Sequence, residues 1–223
     1  MQVDFPPRVH ARRLEPSMTD AIGNLFVIAA PSGAGKTSLV RALVARDARL
    51  QLSVSHTTRA PRPGEVDGEH YHFTDVAHFE ALIEQDRLLE HALVHGNHYG
   101  TGRDQVEAAF AQERDVILEI DWQGARQIRQ RFPACVTIFI LPPSRDTLFQ
   151  RLRDRGQDSP EVIARRIANA RGEMEHATEF DYLIVNDRFD DALDDLAAIV
   201  RAVRLSMRIQ GPRQAELLAQ LLG

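Results

Sequence analysis

Lysine is nearly absent from this chain of 223 residues: 26 of its 27 basic side chains are arginine, and Lys36 is the one exception. Cysteine is just as scarce. Cys135 stands alone, which excludes an intramolecular disulfide framework and a cysteine zinc cluster. No apolar run approaches the ~20 residues of a membrane-spanning helix. Met1–Asp20 carries no apolar stretch of the kind a secretory signal needs. A basic excess is missing too: the net charge is −5 and the pI near 6.0, which argues against a general nucleic-acid binder. What is left is ordinary globular composition, 43% apolar and 26% charged, in a chain long enough for one large core. The expectation is a soluble, cytoplasmic protein with no membrane contact.

Residues 1–22 mix prolines and arginines without periodicity and read as a disordered extension, with Met18 an alternative start. From Gly23 onward strands alternate with helices. Leu25–Ala30, Leu52–Ser55, Val116–Ile120, Val136–Leu141 and Tyr182–Val185 read as short buried strands. Ser38–Arg46, Val76–Ile83, Ser144–Arg153, Pro160–Ala177 and Asp190–Leu205 read as helices. This alternation implies an α/β fold with a parallel sheet covered on both faces. The segment 56–103 breaks the alternation and reads as a small inserted lobe. In the tail, 206–223, Leu217, Leu218, Leu221 and Leu222 suggest an amphipathic helix packed on the domain or on another subunit.

The first strand runs into Ala30-Pro31-Ser32-Gly33-Ala34-Gly35-Lys36-Thr37 and then a helix. This is the phosphate-loop pattern G-x-x-x-x-G-K-[ST] with Ala30 in the first glycine position. A small residue meets the demand for little bulk there. The glycines let backbone N–H groups turn inward onto phosphate oxygens. The helix start adds its dipole. The Lys36 ammonium reaches the β- and γ-phosphates, and the Thr37 hydroxyl can ligate Mg²⁺. A phosphate loop implies a nucleoside triphosphate but not a reaction; motor ATPases, GTPase switches and small kinases all use it. A switch would carry Asn-Lys-x-Asp for guanine, and the only lysine already sits in the loop.

Val116–Asp121 is an apolar strand ending in acids, where a phosphate-loop protein keeps its metal-directing carboxylate. Asp121 is the candidate, with Glu119 beside it; the plainer role for Asp121 is to cap a helix starting near Gly124. Arginines gather in three places: Arg59 and Arg62 on a Pro-stiffened loop, Arg151, Arg153 and Arg155 before Gly156, and Arg165 with Arg166. Transfer between two nucleotides concentrates negative charge, which guanidinium forks neutralise. An Arg-rich, Gly-containing loop between helices suits a closing lid. Arg153 reads as a solvated helix residue, Cys135 as core, and His70, His72 and His98 as packing or solvent groups.

Four stretches are more specific: Ser53–Glu65 (SVSHTTRAPRPGE), Gly96–Thr101 (GNHYGT), Ile120–Gly124 (IDWQG) and Ile184–Asp187 (IVND). In order and spacing they resemble the bacterial guanylate kinases over residues 23–205. The resemblance implies the nucleoside monophosphate kinase fold, with residues 56–103 the GMP-binding lobe and 144–166 the lid. It implies transfer of the γ-phosphoryl group of ATP to GMP or dGMP, with Mg²⁺, in purine nucleotide metabolism.

The family grips the GMP phosphate with residues that match Arg59, Arg62, Tyr71 and Tyr99. It reads guanine with Ser55, Glu90 and Thr101. Guanine offers adjacent N1–H and N2–H₂ donors that a carboxylate such as Glu90 can accept together, whereas adenine has no such pair. The lid arginines match Arg151 and Arg155, a further catalytic arginine matches Arg166, and Asn186 falls where the family contacts adenine. Glu119 departs from the common aspartate, which helps bind GMP, by one methylene. The catalytic set implied is Lys36, Arg62, Arg155 and Arg166. Domains of this kind also occur as inactive protein-binding modules, usually with a degraded phosphate loop, and a kinase or ligase for another acceptor is a third class. The oligomeric state stays open.

Overall fold

The structure is a computed structural model, and it describes residues 23–94, 96–154 and 160–223. Residues 1–22, Arg155, residues 156–159 and the side chain of Arg165 lie outside the described residues. Strand β1 (Leu25–Ala29) leads through a loop into α1 (Lys36–Arg46), and a short turn then starts β2 (Leu50–Leu52). Two short strands follow, β3 (His56–Thr57) and β4 (His72–Phe73), then α2 (Val76–Glu84). The antiparallel pair β5 (Leu88–Val94) and β6 (Asn97–Gly102) precedes α3 (Arg103–Ala111). After these come β7 (Asp115–Glu119), α4 (Trp122–Arg131), β8 (Val136–Leu141), α5 (Arg145–Asp154) and α6 (Pro160–Met174). The chain ends with β9 (Tyr182–Val185), α7 (Phe189–Leu205), α8 (Met207–Arg213) and α9 (Ala215–Leu222).

The main sheet has the order β2-β7-β1-β8-β9, and every pairing in it is parallel. Successive side chains of β1 point to opposite faces. Phe26 and Ile28 enter one core with Leu39, Leu43, Leu196 and Val200 of α1 and α7. Leu25 and Val27 enter the other with Val106, Ala125 and Ile128 of α3 and α4. Phe26, Val27 and Ile28 are wholly buried, each contributing roughly 1.5–3 kcal/mol of transfer free energy. A strand buried on both faces must be a continuous apolar run, which is why LFVIA signals itself so clearly. The carboxyl ends of these strands open toward one side, where ligands bind in open α/β sheets.

A second sheet, β4-β3-β6-β5, occupies the segment that broke the alternation. It is tied to the main body through β5. Leu89 enters the core beneath α4, and Gln127 of α4 accepts from the His91 N–H (3.2 Å) and donates to the His91 carbonyl (2.7 Å).

Several elements differ from the sequence reading. The second strand is Leu50–Leu52, not Leu52–Ser55. The Leu50 N–H closes on the Asp47 carbonyl at 3.0 Å, so the strand starts directly behind α1. Ser53 still donates to the Ile117 carbonyl, but Val54 leaves the ladder for the Gln105 side chain, which releases Ser55 toward the cleft. Strands β3 to β6 and helix α3 were not anticipated. Helix α1 begins at Lys36 rather than Ser38, and α6 ends at Met174, with Ala177–Glu179 a separate 3₁₀ turn. The tail forms two short helices, anchored at their start by Arg208 Nη2 on Asn24 Oδ1 (3.2 Å). Leu217, Leu218, Leu221 and Leu222 of α9 are all exposed, so this helix does not bury its leucines on the domain as the sequence suggests. No helix among the described residues is long and apolar enough to cross a membrane.

Candidate active site

The loop between β1 and α1 is built to leave amides unpaired on one side. Gly33 and Gly35 both have φ of 91°, the left-handed region that side-chain-bearing residues avoid. Gly35 is the N-cap of α1 and brings no side chain to cap it. The first N–H groups of α1 are therefore available to an anion, with the helix dipole behind them.

The back of the loop is held by side chains from other elements. Asn186, at the end of β9, donates from Nδ2 to the Ala34 carbonyl at 2.7 Å. Arg151 of α5 donates to the same carbonyl at 3.5 Å and to the Asn186 carbonyl at 3.0 Å. Leu148 and Leu152 of α5 pack so closely beneath Gly33 that a Cβ there would sit 2.9 Å from Leu148. The Ser32 N–H is bonded to Glu173 of α6 at 3.1 Å. Asn186 and Arg151, expected as nucleotide contacts, thus brace the loop from behind.

In front of the loop, Lys36 Nζ lies 3.7 Å from Glu119 Oε1 and 3.5 Å from the Ile120 carbonyl. The Thr37 hydroxyl donates to Glu119. The sequence points to Asp121 as the metal-directing carboxylate, with Glu119 beside it; in the structure Glu119 is the one that meets Thr37, because it ends β7 beside β1, while Asp121 is the N-cap of α4. Asp121 caps that helix, with Oδ1 accepting from the Gly124 N–H (2.9 Å) and Oδ2 from Gln123 (3.1 Å). Two hard oxygen donors, a hydroxyl and a carboxylate, thus meet next to the loop, a donor set that suits Mg²⁺.

A cleft runs from Ala30, Lys36, Glu119 and Asp121 to Ser55, Tyr71, Glu90 and Tyr99 on the side of the small sheet. Glu90 is 3% exposed and Thr101 fully buried. The Thr101 hydroxyl donates to Glu90 Oε1 at 2.7 Å. Burial pushes the Glu90 carboxyl up to about 7; the Thr101 bond opposes this and the Asp121 charge adds to it. Glu90 Oε2 rests directly on Gly124, where any Cβ would collide with it. A side chain at 124 would have to displace the Glu90 carboxylate from its place against Thr101.

At the mouth, Arg59 donates twice to Glu65, at 2.8 and 2.9 Å, and once to the Ala60 carbonyl at 2.7 Å. Its guanidinium lies 5.3 Å from the Tyr71 ring, and Tyr71 meets Tyr99 edge-on at 5.9 Å. Burial works against it, yet the Arg59 fork holds the Glu65 carboxyl below the usual range. The Arg62 N–H also donates to Glu65 at 2.7 Å, while its side chain is exposed and is not among the groups lining the cleft. Arg166 is half-buried on α6, also outside the cleft lining. The sequence reading gave Glu65 and Glu173 no role. Glu65 lies in the Arg59–Glu65 motif; Glu173 carries no local signal beyond standing two helical turns after Arg166. His98 stacks on Phe79 at 5.2 Å and His56 lies 4.8 Å from His72, both packing contacts. Burial lifts the Cys135 thiol to about 11.

Comparison with known proteins agrees with this geometry. The guanylate kinase family model matches residues 22–203. The guanylate kinase of Alkalilimnicola ehrlichii is 61% identical over 201 residues, covering 90% of this chain and 99% of that protein. That of Methylobacillus flagellatus is 58% identical over 200 residues, covering 90% and 99%. Among solved structures, the guanylate kinase of Anaplasma phagocytophilum superposes with a TM-score of 0.71 at 31% identity, covering 84% of this chain and 89% of that one.

Proposed function

The chain belongs to the guanylate kinase family and transfers a phosphoryl group from ATP to GMP, and from that premise we propose how its own residues divide the work. The small-sheet side of the cleft takes GMP, and residues 56–103 act as its lobe. Glu90, with Thr101 and Ser55, reads guanine. Arg59, Arg62, Tyr71 and Tyr99 hold the acceptor phosphate. The observation that carries this reading is the buried Glu90–Thr101 pair, an acceptor set at the floor of a cleft that also contains Lys36.

The inward amides of Ala30–Thr37 and the Lys36 ammonium hold the ATP phosphates. Residues 144–166 act as the lid, with Arg151 shaping the loop and Arg155 and Arg166 neutralising charge on the transferred group. Mg²⁺ fits beside Thr37 and Glu119, with Asp121 two residues on lining the same cleft, and when bound it would supply charge neutralisation on the phosphate oxygens. The acceptor phosphate monoester is already anionic, so an oxygen of GMP attacks the γ-phosphorus in line, the bond to ADP breaks, and no general base is required. Catalysis is then positioning and charge neutralisation. dGMP serves as an acceptor as well, because the proposed contacts are to base and phosphate. The site of action is the cytoplasm.

ADP formation from Mg-ATP with GMP, AMP, CMP, UMP or no acceptor tests the reading. Turnover with GMP and dGMP alone is expected. Turnover with AMP at a comparable rate overturns the guanine assignment, and turnover without an acceptor overturns the closed-site reading.

A further inference from the structure

The arginine proposed for catalysis on α6 and the phosphate loop are linked by a carboxylate that the reaction itself does not use. We propose that Glu173 is a positioning residue for phosphoryl transfer: its bond to the Ser32 amide fixes the stem of α6 on the phosphate loop and so sets where Arg166 meets the transferring phosphate. This rests on the reading of Arg166 as a catalytic arginine.

Arg166 and Glu173 are seven residues apart on one helix. At 1.5 Å per residue that is about 10 Å and two turns, so they share a face. Ala170 lies between them on that face and is wholly buried. It packs with Leu148 and Leu152, the side chains beneath Gly33, and Ile167 joins the same cluster. The face of α6 is thus seated on the loop twice, through α5 and directly through Glu173.

Just beyond Glu173 the chain is pinned from another side. His176 stacks on Trp122 with ring centroids 3.6 Å apart, and Glu179 accepts from Arg126 Nε at 2.7 Å. The foot of the helix is therefore fixed, and Arg166 projects from it at a defined height. Burial raises the Glu173 carboxyl's pKa, while the Ser32 amide and the Lys36 charge favour its ionised form. A helix whose foot is freed moves Arg166, and a shift of 1 Å at a reacting centre costs up to about 10²-fold.

A double-mutant cycle on the full chain, at saturating ATP and GMP, tests this. Glu173→Ala is expected to lower kcat about tenfold with the KM for GMP unchanged. Glu173→Gln keeps an acceptor for the Ser32 amide and should recover most of the rate. Arg166→Ala should be slower still, and the double variant no slower than Arg166→Ala alone. Losses that multiply overturn the coupling and leave Arg166 in place. Full activity in Arg166→Ala overturns the assignment of Arg166 and the coupling with it. Emission of Trp122, the only tryptophan, checks that each variant keeps the native stack on His176. If Glu173→Ala does not fold, Glu173→Asp takes its place in the cycle, since it withdraws the carboxylate by one methylene.

Discussion

Glu90 on β5 and Thr101 on β6 are joined by a 2.7 Å hydrogen bond in which the threonine donates, deep in the cleft and almost out of solvent. The bond orients Oε1 of a carboxylate held almost out of solvent. Burial, against the opposing pull of that bond, keeps the carboxyl's pKa near 7, and this gives the site a pH dependence. Guanine's two N–H donors need the ionised carboxylate. Below pH 7 the affinity for GMP should fall, approaching tenfold per pH unit, as a proton competes with the base. Because the GMP phosphate itself titrates near pH 6, the measurement is the KM for GMP between pH 6 and 8.5, relative to Glu90→Gln. A pH-independent ratio would refute it.

The same group carries a stability cost. In the folded chain Glu90 holds its proton up to about pH 7, against 4.5 for an ordinary glutamate. Between those values the folded state binds more protons than the unfolded one, so stability falls as pH rises through the window. Glu90→Gln removes the titration and can still accept from Thr101. It should be more stable than the parent at pH 8, by about 3 kcal/mol, and no more stable at pH 4.5. Urea midpoints at the two values decide the matter.

Lys36→Ala should lower kcat by roughly 10²–10³-fold, the scale for removing one charge-stabilising donor. The circular dichroism spectrum should not change, because the ammonium is partly exposed and its bonds among the described residues are to the Glu119 and Ile120 oxygens. Near-normal turnover would remove Lys36 from the mechanism.

Asn186→Ala tests the back wall of the phosphate loop. It removes the 2.7 Å bond to the Ala34 carbonyl and should cost about 1–3 kcal/mol of stability. The KM for ATP should rise about tenfold, a loss of the same order, with the KM for GMP unchanged. A rise for GMP instead would place Asn186 on the wrong side of the site.

Glu119→Gln keeps an oxygen for Thr37 but removes the charge. The Mg²⁺ concentration for half-maximal activity should rise several-fold, since a hard divalent cation favours carboxylate oxygen over amide oxygen. An unchanged Mg²⁺ dependence would move the metal-directing role to Asp121.

The phosphate loop could be read directly because three independent signals coincide at one place: a strand buried on both faces, glycines at 33 and 35, and the chain's only lysine. The small sheet could not. Asn97–Gly102 has no apolar alternation, and β3 and β4 are two residues each, so pairing partners distant in sequence decide them. Glu119 and Asp121 differ by two positions; which one meets Thr37 depends on where β7 ends and α4 begins, a boundary that pattern does not fix. Arg151 was legible as an arginine near phosphates, but its reach back to the Ala34 carbonyl depends on how α5 docks. Glu90 acquires its role from family resemblance, since an acid among LLEHALV has no chemical signal of its own.

The central claim is that one buried carboxylate separates guanine recognition from ATP binding. The most direct measurement is kcat/KM for GMP in Glu90→Gln at pH 8, with the ATP constants measured in parallel. The expected result is a loss of at least about 10²-fold for GMP, the scale for leaving buried hydrogen-bonding groups unpaired, with the KM for ATP within about twofold of the parent. Equal losses for both substrates, or no loss for GMP, would contradict it.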